Sequence, residues 1–504
     1  MATPLAMNSP RPRTRVHPFL RDIGSTAIAG AVVMVSSTVL IALLGRTLGP
    51  DPLAQYLLVR RIVGWMQSSL IVCSAIALPY YVSREKLDGA GAEYFLAALG
   101  TDSLFVLAAG IALLSAPHFF SYWLFGDGQL SRFLLPLIVW TLGYVFHGAT
   151  FGYHRGRLRM FTANVLVLFN LGAVVFLTFA MFQHSGNMVA MLNWTGALMI
   201  GFSIVYGFPR RGVLSAAGGQ IVVKARELLL YGLPRIPMQF GFMGLTVLGP
   251  MIASHYLSLG QVTFLLLGGT LFTAFSLSVM PLNVVLLSKV SRMLSENRID
   301  ETARRLEQMQ TGVLDMSFFA AIMAMVFADV VLRVWLGKDF VHGAGTLRIL
   351  LLGVPFYAYI SAIVSSIDAA HVKAHNSRNV TVSLAFYLVF AGIAVYVAPR
   401  QYLSAAIALA WSATLVILAG FTARSARSLL KTRLPIRSAF PGLAAAAALG
   451  GVALLFRSIS RFQENPIAAL GVIAILSVAY AGILFASGTE WVRECRQMLA
   501  HRSG

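Results

Sequence analysis

Arg60 and Arg61 stand together inside an apolar stretch, Leu57-Leu58-Val59-Arg60-Arg61-Ile62-Val63, where a charge needs a reason. A guanidinium is a planar, permanently charged fork of donors, suited to paired hydrogen bonds with an acidic group. On a helix, Arg60, Gly64, Gln67 and Ser74 fall at i, i+4, i+7 and i+14 and form one polar stripe, with Arg61 and Ser68 on the next. Facing lipid at a bilayer centre each arginine would cost about 2.5–3.5 kcal/mol, so the stripe is expected against a hydrated cavity. The alternative is a side chain that snorkels to the headgroups. A third arginine lies in Tyr231-Gly232-Leu233-Pro234-Arg235-Ile236-Pro237, where two prolines should break or kink the helix. Arg235, Gln239 and Thr246 share a face there.

Three acids stand towards the inner ends of apolar runs, Asp102, Asp315 and Asp368, as candidate proton or cation coupling sites or as interfacial residues. Asp329 and Arg333, at i and i+4, are expected to pair locally. Pro234, Pro237, Pro281 and Pro355 are the hinge candidates. His371 and His375 have a spacing that zinc can use, but no third ligand accompanies them and no metal site is expected. The chain lacks the Gly-x4-Gly-Lys-Ser/Thr phosphate loop, and its longest outer loop, 116–131, carries one His and one Asp with no acid/base pair. Catalysis is therefore not expected.

The elements that position these residues follow from composition. Of 504 residues 58% are hydrophobic and 12% charged, against about 25% charged in a soluble domain. The net charge of +20 does not imply a nucleic-acid partner, because the basic residues sit in short clusters between runs of roughly 20 apolar residues. The two cysteines, Cys73 and Cys495, exclude a disulfide scaffold. Fourteen apolar runs are expected as helices of an all-α polytopic membrane protein: 23–44, 54–82, 93–115, 132–151, 161–182, 189–208, 228–254, 262–288, 311–335, 346–370, 379–398, 404–423, 438–457 and 466–486. A basic leader, 1–22, precedes the first, which reads as an uncleaved span.

With both termini cytoplasmic, 28 Lys and Arg fall on the inner side and 8 on the outer, the bias expected of inner loops that also meet anionic lipid. Ala54-Gln55 and Gly260-Gln261 head spans 2 and 8 at an offset of 206, which also carries span 1 onto span 7. The organisation this suggests is a six-span lobe over 23–208, a linker over 209–227 and a second lobe over 228–423. A basic linker over 424–437, two extra spans within 438–486 and a tail over 487–504 complete it.

The text then resembles a known family. Leu48-Gly49-Pro50 followed by Gln55-Tyr56, Tyr231-Gly232-Leu233-Pro234 opening span 7, and Leu336-Gly337-Lys338-Asp339-Phe340 after span 9 are similar to motifs of the polysaccharide flippases, within the multidrug/oligosaccharidyl-lipid/polysaccharide exporter superfamily. The similarity covers about 20–425, with Gln55 where the family usually has Gly. It implies alternating-access movement of an undecaprenyl-pyrophosphate-linked oligosaccharide across a bacterial inner membrane, for O-antigen, other lipopolysaccharide or exopolysaccharide synthesis. It also implies a cationic cavity, matched by Arg60, Arg61 and Arg235 with Gln67 and Gln239. A polymerase and glycosyltransferases are the implied partners. No cofactor is expected beyond a Na⁺ or H⁺ gradient or the membrane potential. A Na⁺- or H⁺-coupled drug or metabolite antiporter is the competing expectation, and a membrane glycan polymerase or ligase a more distant one.

Overall fold

The computed structural model describes residues 18–85, 88–210, 219–271, 290, 293–294, 296–370, 375–459, 465–488 and 491–493. Every regular element among them is a helix. The first half contains α1 (Pro18–Leu48), α2 (Pro50–Leu70), α3 (Leu78–Val82), α4 (Asp88–Ser115), α5 (Pro117–Phe125), α6 (Leu134–Gly156), α7 (Met160–Val167), α8 (Val174–Phe182) and α9 (Met188–Phe202). The second half runs through α10 (Ile221–Gly232), α11 (Ile236–Ser254), α12 (Leu259–Leu271), α13 (Ile299–Val326), α14 (Ala328–Trp335), α15 (Ala344–Leu351), α16 (Val354–Ala370), α17 (His375–Val397) and α18 (Leu403–Leu430). A closing hairpin, α19 (Ile436–Ser458) and α20 (Pro466–Ser487), completes the chain.

Eleven of the described helical segments are long and apolar enough to cross a membrane, or twelve if Lys338–Leu351 and Val354–Ala370, bent by 48°, count as one span. This is a multi-pass membrane protein. Fourteen runs were expected, and the difference lies at two of them. Residues 54–82 divide into α2, a π-helical stretch Cys73–Ala77 and α3, while 262–288 is described only as far as Leu271. The expected outer loop 116–131 also holds structure. Pro117 starts α5 in the first turn, where its missing N–H costs nothing, and Gly126 ends it at φ 75, the left-handed geometry of a helix C-terminus.

That junction repeats. In the first half, α5, left-handed Gly126 and a 3₁₀ turn Gly128–Phe133 lead into α6; in the second, α14, Gly337 at φ 112 and a 3₁₀ turn Lys338–Gly343 lead into α15. The repeated device is helix, glycine, 3₁₀ turn, helix.

Burial is continuous between the halves. Tyr56, Trp140, Phe340 and Tyr387 belong to one apolar core, and α11 packs against both α2 and α17. The closing hairpin is clamped to α13 and α14. At one end Arg457 and Arg348 share Asp329, at 3.2 and 3.3 Å, so Asp329 has distant partners where Arg333 was expected. At the other, Trp491 Nε1 donates to Asp315 Oδ2 at 3.0 Å and the Tyr480 hydroxyl to the Asp315 carbonyl at 2.8 Å.

Candidate functional site

Pro50 begins α2 after Gly49, whose φ of 86 turns the chain out of α1. Leu53, Ala54, Tyr56, Leu57, Leu58, Val59, Ile62 and Val63 are all buried and lie around the whole circumference of α2, so this half of the helix runs through the interior. The Arg60 Nη1 donates to Ser37 Oγ of α1 at 2.8 Å, within the first half. Arg61 points across the seam: its Nη2 donates to Thr270 Oγ1 of α12 at 3.1 Å. It lies against Gly269, where a Cβ would stand 3.0 Å from Nη2, so a larger residue there would crowd the guanidinium. Gln67 is half-buried; its carbonyl accepts from Ile71 N at 3.1 Å, the last helical bond before α2 stops.

The seam has two faces, one carrying the basic loops (the basic face) and one opposite (the far face). On the far face Thr263 Oγ1 donates to Pro50 O at 3.0 Å, Trp335 Nε1 to Thr38 O at 2.9 Å, and Arg46 to the carbonyls of Trp335, at 3.2 Å, and Val334. Midway, the rings of Trp65 and Phe240 pair at 5.0 Å. On the basic face, Tyr80 of α3 stacks on Tyr231 of α10 at 4.6 Å, and Tyr81 stacks on Tyr94 of α4 at 5.0 Å. Tyr94 donates to Glu227, which pairs with Lys224 at 3.7 Å. Among the described residues, contacts cross the seam at both faces. The cavity beside α2, about 290 Å³, is lined by Ile62, Trp65, Met66, Trp123, Phe240 and other mostly apolar residues, and none of the five expected binding residues lines it.

Arg235 sits in the 3₁₀ turn Leu233–Arg235 that separates α10 from α11. It is exposed, with its guanidinium 3.9 Å from the Tyr231 ring centre and Nη1 donating to Tyr231 O at 2.5 Å. Gln239, one turn on, is exposed. Pro234 lies in the same turn and Pro237 at the start of α11, while Pro355 is the second residue of α16, at the 48° bend. Pro281 and His371 fall outside the described residues. Among the described residues no group of three or more His, Cys, Asp or Glu could hold a metal ion.

No protein-family model and no curated protein sequence matches the chain. Solved structures do. A lipid II flippase MurJ in an inward closed conformation superposes with a TM-score of 0.69 at 15% identity, covering 93% of this chain and 99% of that one. An inward-facing multidrug resistance MATE transporter of the MOP superfamily gives 0.62 at 14% identity, covering 81% of this chain and 96% of its own. A eukaryotic MATE transporter, AtDTX14, gives 0.55 at 13%, covering 85% and 99%. The chain has the fold shared by MurJ and the MATE transporters.

Within the MurJ/MATE fold the three acids occupy different settings. Asp102 of α4 is fully buried and accepts from Val72 N, Cys73 N and Ser74 N at 3.1, 3.0 and 2.9 Å, and from Ser74 Oγ at 2.6 Å. It caps the break that follows α2, supplying acceptors to N–H groups that have no carbonyl one turn earlier. Asp315 meets the hairpin, and Gly442 leaves it room; among the described residues its Oδ1 has no hydrogen-bond partner. Asp368 accepts from Asn376 Nδ2 at 2.7 Å and lies within electrostatic reach of Arg235.

Sequence reasoning missed the tyrosines. Their signal was present as Tyr80-x3-Arg84 and Tyr231-x3-Arg235, one helical turn between ring and cation in each half.

Proposed function

We propose that this protein is a flippase carrying an undecaprenyl-pyrophosphate-linked oligosaccharide across the bacterial inner membrane for surface polysaccharide synthesis. The observation that carries the reading is the pair of arginines within α2, one held inside its own half and one reaching the other half at Thr270. Charge at that depth is costly, and a seam is where a cavity opens when two lobes rock apart. Arg60, Arg61 and Arg235, with Gln67 and Gln239, then receive the pyrophosphate and acidic sugars through charge-assisted hydrogen bonds. The moving lobes are 23–208 and 228–423, the basic face is cytoplasmic, and the prenyl tail stays in the bilayer. A deep sealed pocket is therefore unnecessary. One of the structures that share this fold is a lipid II flippase, and that likeness of fold motivates the choice of a lipid-linked cargo.

Deleting the gene tests this reading. Surface polysaccharide should disappear while the lipid-linked precursor accumulates inside, and normal surface glycan in a clean deletion would sink it. The superposition on a multidrug resistance transporter keeps one competitor in view, the Na⁺- or H⁺-coupled drug or metabolite antiporter. Strong efflux of cationic dyes, abolished by Asp102→Asn or Asp368→Asn, would select it.

A further inference from the structure

We propose that Arg84 and Arg235 form a second diphosphate-binding pair, at the basic-face mouth of the seam, and that occupying it unlatches the two halves. The inference rests on the flippase reading for the source of its ligand, a lipid-linked diphosphate, and assigns that reading an entry site that shares Arg235 with it and lies apart from Arg60 and Arg61.

Tyr80 and Tyr231 stack at 4.6 Å with 21° between their planes, so each covers the inner face of the other. The guanidinium of Arg84, 4.0 Å from the Tyr80 centre, and that of Arg235, 3.9 Å from the Tyr231 centre, must therefore lie on the outer faces. The result is a sandwich of cation, ring, ring and cation, with one cation and one ring from each half. Both arginines are exposed, and among the described residues neither is in a salt bridge. The third cation of the cluster differs. Lys224, 4.5 Å over Tyr94, is compensated by Glu227 at 3.7 Å. Asp368, the carboxylate that Arg235 influences, is held by Asn376.

Two guanidiniums separated by two stacked rings cannot share one diphosphate. With the rings withdrawn, both flexible side chains can swing onto the same anion. A phosphate oxygen is a stronger partner for a guanidinium than a ring face. The anion thus binds the open arrangement better than the closed one, which is what a ligand needs in order to shift the equilibrium. Loss of the flanking cations leaves the two rings their own stacking and the edge contacts of Tyr81, at 5.2 and 5.9 Å.

Spin labels at Ser83→Cys and Arg378→Cys, both exposed positions on opposite halves, report the opening by pulsed dipolar spectroscopy in nanodiscs, with Cys73 and Cys495 replaced by alanine. Geranylgeranyl diphosphate should move the distribution to longer distances. Arg84→Ala/Arg235→Ala should need at least roughly tenfold more ligand for the same shift, and Arg84→Lys/Arg235→Lys should fall between. Inorganic pyrophosphate is the arm that separates a free anion from a lipid headgroup; a response to either diphosphate supports the site, and the stronger one names its source. No response to either overturns it, as does an equal response to geranylgeraniol or an unchanged response in the alanine variant. A diphosphate response in a protein that transports no lipid-linked glycan would retire the flippase reading and keep the latch.

Discussion

The far-face and basic-face seams close the same two halves with different chemistry. On the far face, donors end on backbone carbonyls: Arg46 on Val334 and Trp335 at the end of α14, Trp335 on Thr38, and Thr263 on Pro50. Such bonds are directional and re-form in one register only, and those to Val334 and Trp335 use carbonyls that the end of α14 leaves unpaired. On the basic face ring-on-ring and cation-on-ring contacts predominate, and the hydrogen bonds that cross there are tied to charged side chains: Tyr94 to Glu227, Lys224 to Tyr94 and Gln220 N to Glu93. Rings can slide, and cations can leave for a better anion. The far seam is built to be specific and the basic seam to be responsive to charge.

The largest way to break the contrast is at Asp102, which holds the break that brings Tyr80 to the seam. Asp102→Ala leaves three buried N–H groups and the Ser74 hydroxyl without their acceptor, a loss expected to reach about 3 kcal/mol or more. Its melting temperature in detergent should fall and the buried Cys73 should become reactive to maleimide; Asp102→Asn should lose less. Unchanged melting and labelling would show that the break stands without its cap.

Gly232→Val attacks the basic seam by volume, since a Cβ there would stand 2.5 Å from the Val72 carbonyl oxygen. Overpacking of this kind costs about 1–3 kcal/mol, and the spin-label distance across the basic face should lengthen without ligand. A wild-type distribution would mean that Val72 and α10 do not form the contact. Tyr80→Leu is milder: it removes one ring of the stack, roughly 0.5–1.5 kcal/mol, and should open the basic face while leaving far-face distances unchanged. Arg46→Ala should do the reverse and least, under about 1 kcal/mol, because its carbonyl bonds are exposed to exchange with water. If either substitution moves both faces equally, the two seams are not separate devices.

Much of the fold was legible in the apolar runs, because a spanning helix writes its length into the sequence. Arg60 and Arg61 were legible as charges in an apolar run, which the structure shows as α2, a helix outside the eleven segments long and apolar enough to cross a membrane. Their partners were not: Ser37 and Thr270 are ordinary polar residues until tertiary packing places them. The break after Leu70 depends on Asp102, some thirty residues away, and no proline or glycine sits at the break to announce it. Asp329 illustrates local reasoning overtaken by packing, since Arg333 was the helical neighbour but Arg348 and Arg457 arrive from other elements. In sequence the repeat shows at Gln55 and Gln261, whereas the clearer structural echo lies at Gly126 and Gly337, where a glycine at positive φ is the shared requirement.

The most direct measurement of the central claim is flipping in proteoliposomes, using a fluorescent oligosaccharide on a polyprenyl diphosphate and a membrane-impermeant quencher. The wild-type protein should bring inner-leaflet probe to the quencher far faster than protein-free vesicles do. Arg60→Ala should abolish the gain while still inserting, and Arg60→Lys should restore only part of it, because lysine keeps the charge without the planar fork. Wild-type vesicles that quench no faster than empty ones, or an alanine variant as fast as the wild type, would contradict a flippase built on this arginine.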